Sequence, residues 1–119
     1  MKRILIVDEE SEMAELLKMR LESKGYDVVF SFHEQALDRY KKVLPDLVLL
    51  DVSSPALKGF EVSENIKKEN KDASILLMAY NDPELENLKK HFEQLGVSGY
   101  FDKLSSSEVL VDKIKEVIG

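Results

Sequence analysis

The sequence predicts an α/β protein in which five parallel strands alternate with five helices in one doubly wound sheet. Short apolar runs recur along the chain, at 4–7, 28–30, 47–50, 75–78 and 100–101. Between them lie longer segments whose apolar residues recur at helical spacing. Regular alternation of these two patterns is typical of a parallel sheet that is covered by helices on both faces.

Three of the predicted strands are continuous apolar runs, with sequences ILIV, LVLL and ILLM. Runs without polar alternation favour central strands that are buried on both faces. The other two predicted strands are shorter, VVF and YF. Five strands joined by right-handed crossovers fit the flavodoxin-like order 2-1-3-4-5, in which the switch point lies between strands one and three.

Five amphipathic segments are predicted to form the helices. Asn81-Asp82-Pro83 is a start signal for the fourth helix, and Ser105 with Glu108 fits a capping box before the fifth. The apolar stripes of the five helices, in chain order, are Met13, Leu16, Leu17 and Leu21; Ala36, Leu37 and Tyr40; Val62 and Ile66; Leu85, Leu88, Phe92 and Leu95; and Leu110, Ile114, Val117 and Ile118.

Composition narrows the class of protein. The chain has 119 residues, 44% hydrophobic and 34% charged, which predicts one folded domain over 1–119 rather than disorder. A net charge of −6 argues against nucleic-acid or anionic-membrane binding. The absence of cysteine excludes disulfides and thiolate metal sites. Because neither a signal peptide nor a membrane span is found in the sequence, we expect a cytoplasmic protein.

Charged residues directly follow three of the predicted strands: Asp8 and Glu9 the first, Asp51 the third, and Lys103 the fifth. Parallel strands end at a common edge of the sheet, and strands one and three are neighbours, so these side chains should converge. Asp51 alone would be explained as a turn cap. Clustered carboxylates, however, require a cation, and an all-oxygen site suits Mg²⁺. Lys103 would supply a second positive charge for a bound anion.

These motifs resemble the receiver domains of bacterial two-component response regulators. The resemblance extends over the whole chain and depends on VDEE at 7–10, on LLDxxxPxxxG at 49–59 and on the lysine after the fifth strand. It implies that Asp51 accepts a phosphoryl group, forming a 4-aspartylphosphate. The donor would be a phosphohistidine on a sensor histidine kinase or a phosphotransfer protein.

The resemblance also implies a set of site residues. Asp8, Glu9, Asp51 and the backbone carbonyl of Ser53 would hold Mg²⁺, and Lys103 would pair with the phosphoryl group, so that Asp51 and Lys103 are the catalytic pair. No other cofactor is expected. A downstream protein would bind the face formed by the fourth helix, the fifth strand and the fifth helix.

Three positions depart from the family pattern. Glu9 replaces the usual aspartate, so Glu10 is an alternative metal ligand, and Leu104 replaces the proline that follows the lysine. Met78 aligns with the threonine or serine that ends strand four, and it carries no hydroxyl to hydrogen-bond a phosphoryl group. Tyr100 matches the aromatic switch residue of the family. Met78 and Tyr100 therefore occupy the two positions that act as the conformational switch in the family, and they are the predicted switch pair.

We therefore expect a phosphoacceptor signalling domain with no enzyme activity beyond its own phosphorylation and dephosphorylation. The alternative is a degenerate receiver that binds partners independently of phosphorylation. A haloacid dehalogenase-type phosphatase would need a second aspartate where Ser53 stands, and no dinucleotide or P-loop motif occurs. His33 and His91 lie among charged residues and are expected to face solvent.

Overall fold

The computed structural model describes residues 1–53, 56–80 and 83–119, without the side chains of 56, 57, 84 and 85. The strands are β1 (Arg3–Val7), β2 (Asp27–Ser31), β3 (Leu47–Asp51), β4 (Ile75–Ala79) and β5 (Gly99–Asp102). The helices are α1 (Ser11–Ser23), α2 (Ala36–Val43), α3 (Ala56–Glu69), α4 (Pro83–Leu95) and α5 (Ser107–Ile118), and a 3₁₀ turn (His33–Gln35) precedes α2.

The five strands form one parallel sheet in the order β2-β1-β3-β4-β5, which confirms the predicted topology. Strand β3 extends one residue beyond its apolar run, because Asp51 pairs in register with Met78 of β4. The acidic residue therefore belongs to the sheet itself. Its side chain lies at the edge where all five strands end.

Alternate strand residues bury their side chains in two separate core layers, as the period of a strand requires. Leu50 and Leu77 pack against helices α2, α3 and α4 on one face of the sheet. Leu49 and Met78 pack against α1 and α5 on the other face. The continuous apolar runs thus belong to strands with both faces covered.

Two local predictions about the helices differ from the structure. Helix α5 begins at Ser107, and the side chain of Ser106 caps it by accepting a hydrogen bond from the Val109 backbone N–H at 3.4 Å. The predicted capping box of Ser105 and Glu108 is therefore wrong by one position. Leu16 of α1 leaves 57% of its surface exposed, so it lies outside the core.

Two further predictions fall partly outside the described residues. The start signal of α4 includes positions 81 and 82, which are not described, although the helix does begin at Pro83. The side chain at position 85 is also outside the description. Within the described part of the chain, no helix has the length and hydropathy that crossing a membrane requires.

Phe92 of α4 provides a test of the helix-covered face. Its ring is fully buried and meets Phe60 of α3 edge-on, with ring centroids 5.4 Å apart. We expect Phe92→Ala to lower the free energy of unfolding by about 3–5 kcal/mol, because the truncation leaves a cavity between α3, α4 and the sheet. Urea unfolding followed by circular dichroism measures the change. Met19→Ala, at a side chain that is 66% exposed, is the control and should change stability by less than about 0.5 kcal/mol. Equal midpoints for the two variants would contradict this packing.

Candidate functional site

Two buried carboxylates lie side by side where β1 and β3 end. Asp8 directly follows β1 and is fully buried, and Asp51 is the last residue of β3 and is 6% exposed. Each stands two residues after a side chain that packs on the α1–α5 face, so both carboxylates project toward that face. The sequence prediction that these two residues converge agrees with this placement.

Lys103, which follows β5, lies between these carboxylates. Its Nζ is 3.0 Å from Asp8 Oδ2, 3.5 Å from Asp51 Oδ1 and 3.4 Å from Glu10 Oε1. The side chain is only 3% exposed, and its ammonium also lies 5.1 Å from the ring centroid of Tyr80. The carboxylates and the aromatic ring around the ammonium compensate for the hydration that Lys103 loses on burial.

Burial disfavours the charged form of Asp8 even beside the Lys103 ammonium. Burial, with a further contribution from the negative charge of Asp51, raises the pKa of Asp8 from 3.8 to about 6 against the opposing effects of the Glu10 N–H and Lys103. Burial alone would lower the pKa of Lys103, but the charges of Asp51 and Asp8 outweigh it and raise that pKa. The ionised form of Asp8 is therefore costly, and an additional cation would stabilise it.

The carboxylates of Asp8, Glu10 and Asp51 form a group that fits a divalent cation. One oxygen from each lies within 4.8 Å of the others. Opposed ligands of Mg²⁺ are about 4.2 Å apart, since each Mg–O bond is about 2.1 Å, so small side-chain rotations would close the group around an ion. Carboxylate oxygens are also the donors that Mg²⁺ prefers.

Glu9 is not part of this group, contrary to the predicted ligand set. Its Oε2 accepts a hydrogen bond from the His33 backbone N–H at 3.1 Å and lies 3.2 Å from His33 Nδ1. Burial raises the pKa of Glu9, but the His33 backbone N–H and the neighbouring imidazole, with a smaller contribution from the charge of Lys58, outweigh burial and lower this pKa. The longer side chain thus reaches the end of β2 instead, and Glu10 is the third carboxylate of the group.

Ser53 holds the Asp51 carboxylate in place. Its backbone N–H donates to Asp51 Oδ1 at 2.9 Å, and its hydroxyl donates to the same oxygen. Among the described residues, the hydrogen bonds to this carboxylate all fall on Oδ1. The role of the Ser53 carbonyl as a metal ligand stays a prediction.

Met78 and Tyr100, the predicted switch pair, lie on opposite faces of the sheet. Met78 is buried against α1 and α5, whereas Tyr100 packs toward α4, where its hydroxyl donates to the Lys89 carbonyl at 3.2 Å. Ala79 is the strand-end residue of β4 that shares the face of Tyr100. Met78 and Tyr100 therefore lie apart, and neither Met78 nor Ala79 offers a hydroxyl. The switch role of the two residues stays a prediction.

Leu104 occupies the position of the family's proline. Its side chain is 79% exposed, and its backbone N–H donates to Asp102 Oδ1 at 2.9 Å. A proline has no N–H and could not make this bond.

Sequence reasoning missed two residues at the site. His33 was expected to face solvent but is buried, with Nε2 2.7 Å from the Asp51 carbonyl oxygen. Tyr80 follows β4 and contacts the Lys103 ammonium. Both lie just after a strand, so applying the strand-end rule to all five strands would have identified them. His91 is exposed, as predicted.

Comparison with known proteins identifies the family. The profile of the response regulator receiver domain matches residues 4–115. The alkaline phosphatase synthesis transcriptional regulatory protein PhoP of Bacillus subtilis is 33% identical over 118 residues, which are 98% of this chain and 48% of that protein. The chain therefore belongs to the response regulator receiver domain family of two-component systems. It spans about half the length of the curated relatives that it matches.

Solved structures support the same conclusion. The response regulator TrrA of Thermotoga maritima, solved in complex with Mg²⁺ and BeF, superposes with a TM-score of 0.83 at 33% identity, over 98% of this chain and 99% of that one. Chemotaxis protein CheY4 of Vibrio cholerae has a TM-score of 0.87 at 24% identity, over 98% of each chain, and supports the fold.

Asp8 makes a testable contribution to pH-dependent stability in the metal-free protein. Because its folded pKa of about 6 lies above 3.8, the folded state binds more protons than the unfolded state between these values. We expect the free energy of unfolding, relative to that of Asp8→Asn, to fall as pH rises from about 4 to about 6, by up to about 1.4 kcal/mol per pH unit. Above that window the difference should be constant.

Urea titrations in the presence of a chelator measure this difference. Asp112→Asn, at an exposed carboxylate of α5, is the matched control and should show no such slope. A difference that increases with pH in this window would mean that the pKa of Asp8 is lowered, contrary to the geometry.

Proposed function

We propose that this chain is a phosphoacceptor signalling domain in which Asp51 receives a phosphoryl group from a phosphohistidine on a sensor histidine kinase or a phosphotransfer protein. The supporting observation is the convergence of Asp8, Asp51 and Lys103, with the Lys103 ammonium 3.0 Å from one carboxylate and 3.5 Å from the other. Membership of the receiver family supports the same role. The proposal covers residues 1–119 as one domain, located in the cytoplasm and with no nucleic-acid partner of its own.

The proposed chemistry is a single displacement at phosphorus. An oxygen of the Asp51 carboxylate forms a P–O bond while the P–N bond to the donor imidazole breaks, and the leaving nitrogen keeps the electron pair. Negative charge on the three equatorial phosphoryl oxygens is stabilised by the Lys103 ammonium, which is already held beside Asp51. Hydrolysis of the acyl phosphate returns the carboxylate and inorganic phosphate.

Mg²⁺ is the proposed cofactor. Asp8, Glu10 and Asp51 would hold it, with the Ser53 carbonyl as a further ligand implied by the family resemblance. When bound, the ion neutralises the carboxylates and the incoming phosphoryl oxygens. The TrrA complex with Mg²⁺ and BeF is consistent with this choice of ion.

Phosphorylation of Asp51 is directly testable. We expect incubation with acetyl phosphate and Mg²⁺ to add one phosphoryl group to the wild-type chain, because the Asp51 carboxylate lies 3.5 Å from the Lys103 ammonium that would stabilise the transferred group. Asp51→Asn should acquire none. Asp46→Asn is the control, since Asp46 lies at the opposite end of β3 and accepts a hydrogen bond from the Arg3 backbone N–H. Intact-mass spectrometry checks all three, and equal labelling of Asp51→Asn would refute the assignment.

A second candidate function is favoured by the end of β4. Neither Met78 nor Ala79 carries a hydroxyl, and the Tyr100 hydroxyl is already engaged by the Lys89 carbonyl. A phosphoryl group on Asp51 would therefore lack the usual hydrogen bond through which it could move this region. On this basis the chain would act as a degenerate receiver, binding its partner through α4, β5 and α5 whether or not it is phosphorylated.

Beryllofluoride, which mimics a phosphoryl group, distinguishes the two candidates. If phosphorylation modulates partner binding, Mg²⁺ with beryllofluoride should shift backbone amide resonances in α4, β5 and α5 as well as those around Asp51. Shifts restricted to the neighbours of Asp8, Asp51 and Lys103 would favour the degenerate receiver. Asp51→Asn, recorded under the same conditions, identifies shifts that arise from nonspecific ion binding.

A further inference from the structure

His33 occupies an unusual place beside the acidic site. It begins the 3₁₀ turn after β2, and its side chain is 6% exposed. Because β2 and β3 flank β1 in the sheet, the imidazole extends past the end of β1 to reach β3. It therefore connects three neighbouring strand ends.

The ring lies between two acceptors. Nε2 is 2.7 Å from the Asp51 carbonyl oxygen, and since a carbonyl only accepts, Nε2 carries the hydrogen. Nδ1 makes no well-aligned hydrogen bond but lies 3.2 Å from Glu9 Oε2, and it can donate to this carboxylate only when both ring nitrogens carry a hydrogen. The ring thus contacts both the backbone of the predicted phosphorylation site and the acidic residue after Asp8.

The backbone of His33 strengthens its hold on Glu9. The same Oε2 accepts a hydrogen bond from the His33 backbone N–H at 3.1 Å, and the protonated ring would add a second contact to this oxygen through Nδ1. To reach an ion between Asp8 and Asp51, Glu9 would have to leave both. Glu10 has no such competing contact among the described residues except Lys103, which is itself part of the site.

We propose that His33 is a positioning residue that keeps Glu9 out of the acidic site and so makes Glu10 the third carboxylate available to a divalent cation. This inference depends on the proposed function only in taking the acidic group as a cation site. It assigns to His33 a role in selecting ligands, in addition to any contribution that its burial makes to folding.

Mn²⁺, which is detected by electron paramagnetic resonance, tests the ligand set without any phosphorylation step. Loss of a direct carboxylate ligand in Glu10→Gln should weaken Mn²⁺ binding about tenfold or more, whereas Glu9→Gln should change it by less than about threefold. A loss in Glu9→Gln as large as that in Glu10→Gln would overturn the proposal. If the wild-type chain binds no Mn²⁺, the cation site of the proposed function is wrong as well. If it binds Mn²⁺ but depends equally on Glu9 and Glu10, only the inference about His33 is wrong.

The role of His33 itself is tested by rescue. Adding His33→Leu to Glu10→Gln removes the ring nitrogen beside Glu9 and leaves only the backbone N–H of residue 33, so Glu9 is held less firmly and can more easily replace the lost ligand. We expect the double variant to recover at least about threefold of the lost Mn²⁺ affinity, and the triple variant with Glu9→Gln to recover none. No recovery in a folded double variant, or recovery without Glu9, would overturn the role.

A measurement on the wild-type chain keeps the inference testable if the His33→Leu variants fail to fold. The His33 ring nitrogens can be observed by ¹⁵N NMR during a Mg²⁺ titration at constant pH. If Glu9 stays bound to His33, the Nδ1 resonance should remain within its metal-free range while amides near Asp8 and Asp51 shift. A large Nδ1 shift that saturates together with those amides would mean that Glu9 moves to the ion, and this would overturn the proposal.

Discussion

The buried ion pair between Lys103 and Asp8 is the interaction on which the rest of the site depends. Two carboxylates at adjacent strand ends repel each other and lose hydration on burial, and the ammonium of Lys103, 3.0 Å from Asp8 and 3.5 Å from Asp51, is the positive charge that the chain itself supplies. The same pair connects β5 to β1 across the two strands between them. It therefore couples the charge of the site to the packing of the whole sheet edge.

Each of the five strands contributes one side chain to this edge. Asp8, His33, Asp51, Tyr80 and Lys103 follow or end β1 to β5 in that order. A doubly wound sheet brings these positions together because all its strands point the same way. The acidic site is thus a consequence of topology, and its particular chemistry depends on which residue type stands at each strand end.

The sequence was sufficient for the fold and for the main charged residues, for physical reasons that apply at particular positions. Continuous runs such as 47–50 indicate strands covered on both faces, and topology alone then places Asp8 near Asp51. The direction of the Glu9 side chain and the burial of His33 depend on tertiary contacts that no local pattern encodes. The face to which Met78 points required the strand register, since a shift of one residue reverses it.

The most direct test of the central claim is a crystal structure of the chain grown with Mn²⁺, examined by anomalous scattering. We expect one strong anomalous peak at the end of β1 and β3, with carboxylate oxygens of both Asp8 and Asp51 about 2.1–2.2 Å from the ion, close to the bond lengths of Mg²⁺. The contrary result is well-defined density in which these two carboxylates point apart, with no peak between them.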